Sequence, residues 1–526
     1  MNRERYSRIL FSLIVGGLVL VGLLLVLNGA SQPALADEGD LFASTTGGGT
    51  SCSQSNPCGL QTALRQADDG DAIYVAAGTY RGAGTAVISI SKSVILRGGW
   101  DGTATGPVVR DPDAHQAIVD GESDRRVVYV GEGITPTLDG FVITGGNATG
   151  LVDDCFPSGG NPDGCGGGIF AFNSHPIIIN NTIRGNVAAL DTFGFPTGTT
   201  GYGGGAYLRN TANAIVSGNR IVDNVASTAN CGNGGGLVLR ASLSSAAGMR
   251  VEGNEVLGNV ATTVDTLCAW GGGIAGGPDG VLIQSNRIEG NRANGAGTGA
   301  GAGLYQWIGS AEYLDNALRE NEGSSAVYLG YSRSLFAGNW ILDNPSGTGI
   351  ALIYGDGPGP TLVNNVIARS GSQWTLSAKA TLNNPLTVHL LHNTLVGTGA
   401  GNGVQVQSDH VTMALTNTIV AGHAWGITTT HPTSSVVLSD HTLFWSNDRD
   451  GVRGPTPVDG DPRFVDPDGG DYHLRRGSAA IDAGVPSGVS TDIDGDPRPG
   501  EGGYDIGADE CTLRHLFLPL ALKAHP

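Results

Sequence analysis

Short apolar runs separated by Gly, Asn and Ser dominate the chain between residues 57 and 455. Pro176–Ile179 and Gly280–Ile283 are typical of these runs. β-branched residues next to turn formers predict strands of about three to five residues. The repeated region contains no window of a dozen residues with helical periodicity. The pattern therefore predicts an all-β chain built from many short strands.

An asparagine word, Asn-x-aliphatic-x-x-Asn, recurs along the middle of the chain. Complete copies start at Asn181, Asn219, Asn254, Asn286, Asn316 and Asn339, and partial copies start at Asn365, Asn393 and Asn417. The spacing between first asparagines starts at 38 residues and settles at 23 to 28. Such a period is the signature of a solenoid. Three strands at about 3.3 Å per residue, with their turns, fill one repeat, which predicts a single-stranded parallel β-helix of about 10–13 coils.

The asparagines themselves are predicted to be structural. Asn tolerates left-handed backbone and suits turns, and amides stacked from coil to coil can form a hydrogen-bonded ladder. A row of asparagines that binds a ligand is the alternative. The structural interpretation is favoured.

A glycine word precedes several copies of the asparagine word. Its copies are Gly166–Ile169, Gly203–Ala206, Gly234–Leu237, Gly271–Ile274 and Gly301–Leu304. No Gly-Lys-Ser/Thr follows these glycines, so a phosphate-binding loop is disfavoured. They indicate instead a sharp corner that only Gly fits.

Together, the two words resemble the right-handed parallel β-helix proteins of the pectate-lyase-like superfamily, over roughly residues 57–455. The resemblance implies a right-handed solenoid whose first coil is closed by a short helix, and the amphipathic stretch Cys58–Ala67 matches that helix. It does not imply one activity, because the superfamily contains lyases, hydrolases, epimerases, adhesins and proteins without known catalysis. The hydrolase words of polygalacturonase-like members are not matched here.

Residues 1–36 are predicted to be a secretory signal peptide. Arg3, Arg5 and Arg8 precede an apolar run from Ile9 to Leu27, and a small-x-small cleavage site ends at Ala36. The apolar run is long, so an uncleaved membrane anchor is the alternative. Either interpretation places the body of the protein outside the cytoplasm, secreted or on a bacterial cell surface, with a membrane contact only through this segment.

Seven cysteines in an exported chain are expected to form disulfides. Cys231 and Cys268 each lie three residues before a glycine word in consecutive repeats, which places one above the other. Cys52–Cys58 and Cys155–Cys165 are the natural local pairs, and Cys511 is left over. Metal binding by the cysteines is disfavoured, since no Cys-x-x-Cys or paired histidines accompany them.

The charge is strongly acidic and concentrated near the C-terminus. The formal charge of −19 becomes −21 without residues 1–36, and residues 440–510 hold 16 acids against 6 arginines. Nucleic acid and acidic lipid are poor partners for such a surface.

The segments Gly460–Asp466, Gly477–Gly484, Asp492–Arg498 and Tyr504–Glu510 resemble the choice-of-anchor Q domain of bacterial surface β-helix proteins. The apolar tail after this region is interpreted as a sorting signal or as a last strand that covers the end of the solenoid. The predicted organisation is therefore a signal peptide (1–36), a capped β-helix (37–455), an acidic region (456–511) and a tail (512–526).

Asp492, Asp494 and Asp496 suggest a calcium site, because Ca²⁺ takes several carboxylate and carbonyl oxygens. The full calcium loop and its helices are missing. Turn formation, with Asp492 or Asp496 paired to Arg498, is the favoured alternative.

An outward stripe beside the glycine corners is the predicted functional surface. If Ile169 and its equivalents point inward, alternation places aromatic and arginine side chains outside. The stripe contains Phe172, Tyr207, Tyr305, Trp307 and Tyr328 as ligand-binding candidates, with Arg209 and Arg240 as charged candidates. Rings stack on sugar faces and arginine forks bind carboxylates, so the stripe predicts a groove for an acidic polysaccharide. Long insertions at the same corner, which carry Asp153, Asp154, Asp163, Asp191 and Asp265, form its expected wall.

Three functions remain open from the sequence. The favoured one is an exported, monomeric β-helix protein that binds polysaccharide or envelope glycan without a recognisable catalytic constellation. The second is a lyase that cleaves uronate polymers by β-elimination, with Arg209 and Arg240 as catalytic residues and calcium held by the loop acids. The third is a purely structural surface spike or adhesin. The favoured alternative to a catalytic role for the two arginines is that they pair with the loop acids and hold the loops down.

Overall fold

The protein is described by a computed structural model covering residues 39–151, 155, 164–190, 200–228, 230–241, 247–264, 268–294, 299–354, 357–380, 384–500 and 502–511. It is a single-stranded parallel β-helix, as the repeats predicted, and it is right-handed, as the family resemblance implied. Within the described residues no helix is long and apolar enough to cross a membrane. The predicted signal peptide and the tail at 512–526 lie outside the described residues.

Three parallel faces run along the solenoid. Face A is a 13-stranded sheet that follows the glycine corners. Its strands are Ala86–Ile90, Arg126–Val130, Ile169–Phe172, Ala206–Arg209, Leu237–Arg240, Ile274–Gly276, Leu304–Gln306, Ser325–Gly330, Thr348–Ile353, Trp374–Lys379, Asn402–Val406, Trp425–Thr429 and Arg449–Gly451. Their number agrees with the predicted count of coils.

Faces B and C form one continuous 27-stranded sheet. The strands of face B are Leu41–Ala43, Ala72–Ala76, Ile95–Trp100, Thr137–Asp139, Ile177–Ile179, Ile215–Ser217, Arg250–Glu252, Leu282–Gln284, Glu312–Leu314, Leu335–Ala337, Gly357–Val363, Leu386–Leu391, Val411–Thr416 and Val436–Trp445. The strands of face C are Gly78–Tyr80, Ala117–Asp120, Phe141–Thr144, Thr182–Arg184, Arg220–Val222, Glu255–Leu257, Arg287–Glu289, Ala317–Arg319, Trp340–Leu342, Val366–Ala368, Thr394–Val396, Ile419–Ala421 and Thr456–Asp459. The long strand Val436–Trp445 belongs to both faces, since its last residues pair with Ile419–Ala421.

Smaller sheets extend the longer coils near the glycine corners. A five-stranded sheet contains Val187–Ala189, Val225–Ser227, Val260–Thr262, Arg292–Ala293 and Glu322–Gly323. A four-stranded sheet contains Gly164–Cys165, Gly201–Tyr202, Gly232–Asn233 and Ala269–Trp270. The only antiparallel sheet in the described part is the hairpin of Phe464–Asp466 and Asp471–Leu474.

One apolar core fills the solenoid from end to end. The residues predicted to point inward from face A all lie in it: Ile169, Ala206, Leu237, Ile274, Leu304 and Val327. The helix Leu60–Gln66 closes the N-terminal end and buries Leu60, Ala63 and Leu64 against the same core. The amphipathic stretch at Cys58–Ala67 is therefore the cap that the sequence predicted, and it protects the open end of the first coil.

Buried asparagine ladders hold the coils together at both ends of face C. In the first ladder each amide Nδ2 donates to the next asparagine's Oδ1 at 2.9–3.1 Å, from Asn181 to Asn393. In the second ladder Asn186 begins the same chain, which ends when Asn344 donates to the hydroxyl of Ser370. The amides also bond backbone: Asn286 Nδ2 donates to Val251 O at 2.9 Å. These side chains are almost fully buried, which confirms the structural interpretation.

The ladder asparagines do not adopt the left-handed backbone that was predicted for them. The residue just before each of them does so instead. Asn180 has φ 55° and Asp315 has φ 55°, whereas Asn181 and Asn316 are not left-handed. In these two copies the turn places the left-handed backbone on an exposed residue and leaves the following amide to point into the ladder.

Asn417 was predicted to be a degraded ladder copy, and the structure corrects this. Thr394 pairs with Ile419, so Thr418 is the residue that stacks on Asn393. Asn417 occupies the left-handed position, with φ 50°. Its amide leaves the ladder and bonds the C-terminal region, donating to Val485 O at 2.6 Å and accepting from Val485 N at 2.9 Å.

The three predicted disulfides are formed. Cα–Cα separations are 4.6 Å for Cys52–Cys58, 6.0 Å for Cys155–Cys165 and 4.7 Å for Cys231–Cys268. The last pair joins consecutive coils, as the shared register predicted. Cys511 is free.

The acidic C-terminal region packs along the outside of face C in the later coils. Tyr472 and Ala508 pack on Leu342 and Val366, and a neighbouring cluster buries Leu474, Ala480 and Ile506 against Ile419, Ala421 and Leu443. Arg369 joins the two parts, since it pairs with Asp343 at 2.6 Å and donates to the hydroxyl of Tyr472 at 2.5 Å. The region thus forms a second layer over one side of the solenoid.

Candidate ligand-binding site

The outer side of face A carries a second, separate apolar layer. Strand register stacks Phe170, Tyr207, Val238, Ala275, Tyr305 and Tyr328 in one outward column. Most of these side chains are nevertheless buried, because they pack with Cys155, Cys165 and Ala300 as a cluster of their own. The sequence correctly predicted which side chains point away from the solenoid core, but the loop disulfide covers part of the column.

Tyr207 is the clearest correction among the predicted ligand-binding residues. It was expected on an exposed position, and it is 0% exposed. Its hydroxyl donates to Cys155 O at 2.6 Å, and its ring stacks on Phe170 at 5.7 Å between centroids. Tyr207 therefore supports the site from beneath and does not contact solvent.

A cavity of about 360 Å³ opens beside Val238 and Ala275, the smallest side chains of the outward column. Arg209 and Arg240 line one part of it, and Tyr305, Trp307 and Ile308 line another. Four of the predicted site residues, Arg209, Arg240, Tyr305 and Trp307, therefore meet around one opening. Phe172 and Tyr328 lie next to these residues but do not line the cavity.

Small residues leave room for the cavity. Ala275 supplies only a methyl group between Val238 in the preceding coil and Tyr305 in the following one. Gly276 and Gly277 follow Ala275 along the chain and also line the cavity. A Cβ at Gly277 would point toward the solenoid interior, 2.2 Å from the hydroxyl of buried Tyr313, so this position carries no side chain.

The two arginines are held by aromatic rings. Arg209 lies 5.0 Å above the ring of Phe172, and Arg240 lies 5.2 Å above the ring of Tyr202. These contacts fix the guanidinium planes beside the cavity. Phe172 is thus placed as a support for Arg209. The loop acids that were expected as partners of the arginines, at positions 153, 154, 163, 191 and 265, lie outside the described residues.

An aromatic platform forms the other side of the cavity. Trp307 is 46% exposed and stacks nearly parallel on Tyr328, with interplanar angle 10°. Tyr305 stacks on Tyr328 at 5.1 Å. Tyr331 and Tyr354 meet Trp307 edge-on at 5.6 and 5.9 Å, and they stack on each other at 5.4 Å. The platform therefore fixes the orientation of one exposed indole.

Tyr354 was missed by the sequence analysis. Tyr331 and Tyr354 follow successive strands of face A and have positive φ values of 42° and 60°, a conformation that is uncommon for bulky residues. A tyrosine in the turn after each of two neighbouring strands was the available signal. The repeat alignment did not extend to that position.

Arg126 was also missed. It is 2% exposed, and its guanidinium donates to Cys165 O at 2.8 Å and Gly166 O at 3.0 Å. The group also lies 4.5 Å above the ring of Phe170. Arg126 therefore fixes the first glycine corner and the base of the outer layer. No repeated word marks this position in the sequence.

The ionisable groups of the cavity favour binding over proton transfer. Burial raises the pKa of Tyr305 to about 12, although Arg240 lowers it in part. Burial likewise raises the pKa of Tyr207 to about 12. At neutral pH these phenols keep their protons, and a general base needs a pKa near the working pH. Among the described lining residues the cavity therefore offers positive charge and hydrogen-bond donors.

The predicted calcium residues do not form a common ligand set. Asp492 is 5% exposed, and its Oδ1 accepts from the backbone N of Asp494 at 3.0 Å and of Asp496 at 2.8 Å. The other carboxylate oxygen accepts from Glu510 N at 2.9 Å. Asp492 is therefore a buried turn residue, as the alternative proposed, although Arg498 pairs with Glu510 and not with Asp492 or Asp496.

Asp494 instead joins His473. Its Oδ2 lies 2.8 Å from His473 Nε2, and Asp509 completes the group within the described residues. Burial lowers the pKa of His473, but the hydrogen bond to Asp471 and the nearby carboxylates outweigh burial and raise it. His473 is hydrogen-bonded through Nδ1 to Asp471 at 2.5 Å, whereas its contact with Asp494 is an ion pair within the same charged cluster of the C-terminal region.

Comparison with protein-family models gives no match, and comparison with curated proteins gives none either. Solved structures that the chain resembles include pectate lyase Pel9A, with TM-score 0.36, 13% identity and coverage of 90% of this chain and 97% of that chain. They also include the periplasmic alginate epimerase AlgG, with TM-score 0.38, 12% identity and coverage of 75% and 82%. The PL6 family alginate lyase AlyGC has TM-score 0.45 and 13% identity, with coverage of 83% and 55%. At such distances no activity or residue role is transferred to this chain.

Proposed function

We propose that the protein is an exported β-helix protein that binds an acidic polysaccharide in the cavity on face A. The observation that supports this most directly is the arrangement of its walls. Two guanidinium groups, Arg209 and Arg240, and the exposed indole of Trp307 line the same cavity. A sugar acid needs both a flat apolar surface and a fixed cation, and the cavity presents the two together.

Each wall would recognise a different part of the ligand. The ring of Trp307 is held by its neighbours and offers an open face on which a pyranose can stack. The arginines offer planar donor forks that match a carboxylate, and a charge-assisted pair of this kind is stronger than a neutral hydrogen bond. The strongly acidic chain surrounds this local positive site, so the arginines are a specific feature and not part of a general basic surface.

A lyase that cleaves uronate polymers by β-elimination is the second candidate. It uses the same residues, since Arg209 and Arg240 would neutralise the uronate carboxylate and assist proton removal. The high pKa of Tyr305 speaks against a tyrosine base at neutral pH. Binding without catalysis is therefore preferred.

The location on the cell envelope follows from separate features. Three disulfides are typical of an oxidising, extracytoplasmic compartment. The predicted signal peptide at 1–36 supports the same assignment. The resemblance of residues 460–510 to the choice-of-anchor Q domain supports display on a bacterial surface, where a monomer would meet envelope or environmental glycans.

The test is calorimetric titration of residues 37–526 with galacturonate and mannuronate oligomers. Trp307→Ala is expected to weaken binding by roughly two- to twelvefold, because one stacked aromatic contact is worth about 0.5–1.5 kcal/mol. Trp425→Ala is the matched control, since Trp425 is also an exposed tryptophan on face A, held there by Arg449 at 4.7 Å. Equal losses in both variants would contradict the proposed cavity.

The same mixtures separate the alternatives. Absorbance of an unsaturated product, lost in Arg209→Ala and Arg240→Ala, would replace binding with β-elimination. If no acidic or neutral glycan binds and Trp307→Ala behaves as wild type, the structural adhesin remains.

A further inference from the structure

Three arginines of the C-terminal region form no ion pair with a described residue, although the region is rich in acidic residues. The structure shows no ion pair for Arg463, Arg475 or Arg476 with any described carboxylate, and all three are exposed. Their neighbours behave differently: Arg453 pairs with Asp459 at 2.5 Å, and Arg498 pairs with Glu510 at 2.6 Å. In a stretch with 16 acids and 6 arginines, unpaired guanidinium groups are unexpected.

The three arginines converge on one opening. They line a cavity of about 440 Å³ together with Trp445 and Asp461. Trp445 is 42% exposed, and its strand belongs to faces B and C, so this cavity is separate from the one on face A. Three guanidinium groups against one carboxylate leave the opening positively charged within an acidic region.

The local fold keeps these groups in place. The backbone N of Arg475 donates to Arg463 O at 3.0 Å, which closes the hairpin from which both side chains project. Arg463 has φ 46°, and its backbone N donates to Asp461 Oδ1 at 2.8 Å. A Cβ at Gly477 would lie 3.1 Å from Arg463 Nη1, so the guanidinium rests against a residue without a side chain.

Two simpler roles fit less well. Arginines that only increase solubility gain nothing in a chain that already carries a large negative charge. Arginines that hold the hairpin to the solenoid would contact its carboxylates, as Arg369 contacts Asp343.

We infer that the cavity between Trp445 and Arg463, Arg475 and Arg476 is a second binding site for an acidic polysaccharide. The indole of Trp445 would stack on a sugar ring, and the arginines would bind the carboxylates of neighbouring residues in the polymer. The ligand class rests on the proposed function, whereas the site does not share a residue with the cavity on face A.

The experiment uses the mature chain with Trp307→Ala, so that the first cavity is already weakened. Arg475→Ala/Arg476→Ala is added to this background, because both side chains are exposed and their removal leaves the hairpin bonds intact. Arg220→Ala/Arg250→Ala is the control that removes the same charge from exposed solenoid positions. A hexamer of galacturonate, a neutral cello-oligosaccharide and inorganic phosphate are titrated into each protein.

Binding of the acidic hexamer at this second cavity is expected to persist in Trp307→Ala, where the cavity on face A is weakened, and to fall at least tenfold in the added double variant. The control should change it less than twofold, and the salt dependence should become shallower in the double variant only. Loss of all binding in Trp307→Ala alone would overturn this second site and leave the first intact. Equal binding of the neutral sugar, or equal displacement by phosphate, would overturn the acidic-polysaccharide assignment. If wild type and Trp307→Ala bind the hexamer equally, and the added double variant loses that binding, the result would support this second cavity against the cavity on face A.

Discussion

The earlier and later coils of the solenoid have the same interior and different exteriors. Both halves stack asparagines over one continuous apolar core. In the earlier coils the outer layer on face A is built from loops and aromatic rings and leaves a cavity. In the later coils the outer layer on face C is the folded C-terminal region, which covers this face and forms a cavity with Trp445 at its edge. The repeat therefore determines the fold, and the added layers determine where a ligand can bind.

The strongest test of this difference is the buried ion pair of the C-terminal layer. Arg498 and Glu510 are 0% and 1% exposed and lie 2.6 Å apart. Arg498→Met leaves the carboxylate buried without its partner, and we expect a loss of about 3–5 kcal/mol in the stability of this layer. Hydrogen exchange should increase in residues 464–511 and stay unchanged in the coils that carry the cavity on face A.

The paired variant Arg498→Met/Glu510→Met supplies the control for this measurement. It should recover part of the loss, because no buried charge is left alone. If exchange increased equally in the early coils, the two halves would be one cooperative unit, and the comparison would fail.

The next prediction concerns the asparagine ladder inside the solenoid, where one substitution should lower the stability of the whole solenoid. Asn181 Oδ1 accepts from Phe141 N at 2.9 Å, and its Nδ2 donates to Leu138 O at 3.0 Å. Asn181→Ala leaves these buried backbone groups without a partner and should cost about 3 kcal/mol in the free energy of unfolding, measured by denaturant titration.

The adjacent residue is a matched control for the ladder. Asn180 is exposed and has φ 55°, so Asn180→Gly should change stability by less than about 1 kcal/mol. Similar losses in the two variants would mean that the turn, and not the ladder, stabilises the coil.

The stability of the C-terminal layer should depend on pH through the protonation of Asp509. Burial raises the pKa of Asp509 to about 6, with nearby Asp492 and Asp494 acting in the same direction. Because the folded-state pKa lies above the unfolded value, this group supports the C-terminal layer fully below about pH 4, and that support is lost as the pH rises through 6. Asp509→Asn should therefore stabilise the layer by about 2 kcal/mol at pH 8, with the gain vanishing at pH 4.

The asparagine keeps an oxygen for the backbone N of Leu474, which donates to Asp509 Oδ2 at 2.6 Å. Thermal unfolding of the wild type and of Asp509→Asn across pH 4–8 provides the measurement. A constant difference between the two proteins at all pH values would show that Asp509 does not titrate in this range.

The sequence predicted the parts of this molecule that repeat. Asparagine and glycine words supplied the fold, the Cys231–Cys268 register and the outward direction of Tyr207 and Trp307. Burial of Tyr207 could not be predicted, because Cys155, whose carbonyl accepts from its hydroxyl, lies outside the repeat. The packing of residues 464–511 was equally hidden, since it depends on single contacts such as Asn417 with Val485. Contacts between layers do not repeat along the chain, so the sequence pattern does not predict them.

The smallest expected change in stability belongs to the residue with the largest expected effect on binding. Trp307 is 46% exposed and contributes mainly ring contacts at the surface, so Trp307→Ala should lower the free energy of unfolding by about 1 kcal/mol or less. Tyr305→Ala should cost more, because Tyr305 is 9% exposed and belongs to the outer apolar cluster. Denaturant unfolding of both variants, compared with their affinities for galacturonate oligomers, checks this difference. A large loss of stability in Trp307→Ala would mean that the indole is part of the packing, and the division between a structural interior and a binding exterior would then be misplaced at this wall of the cavity.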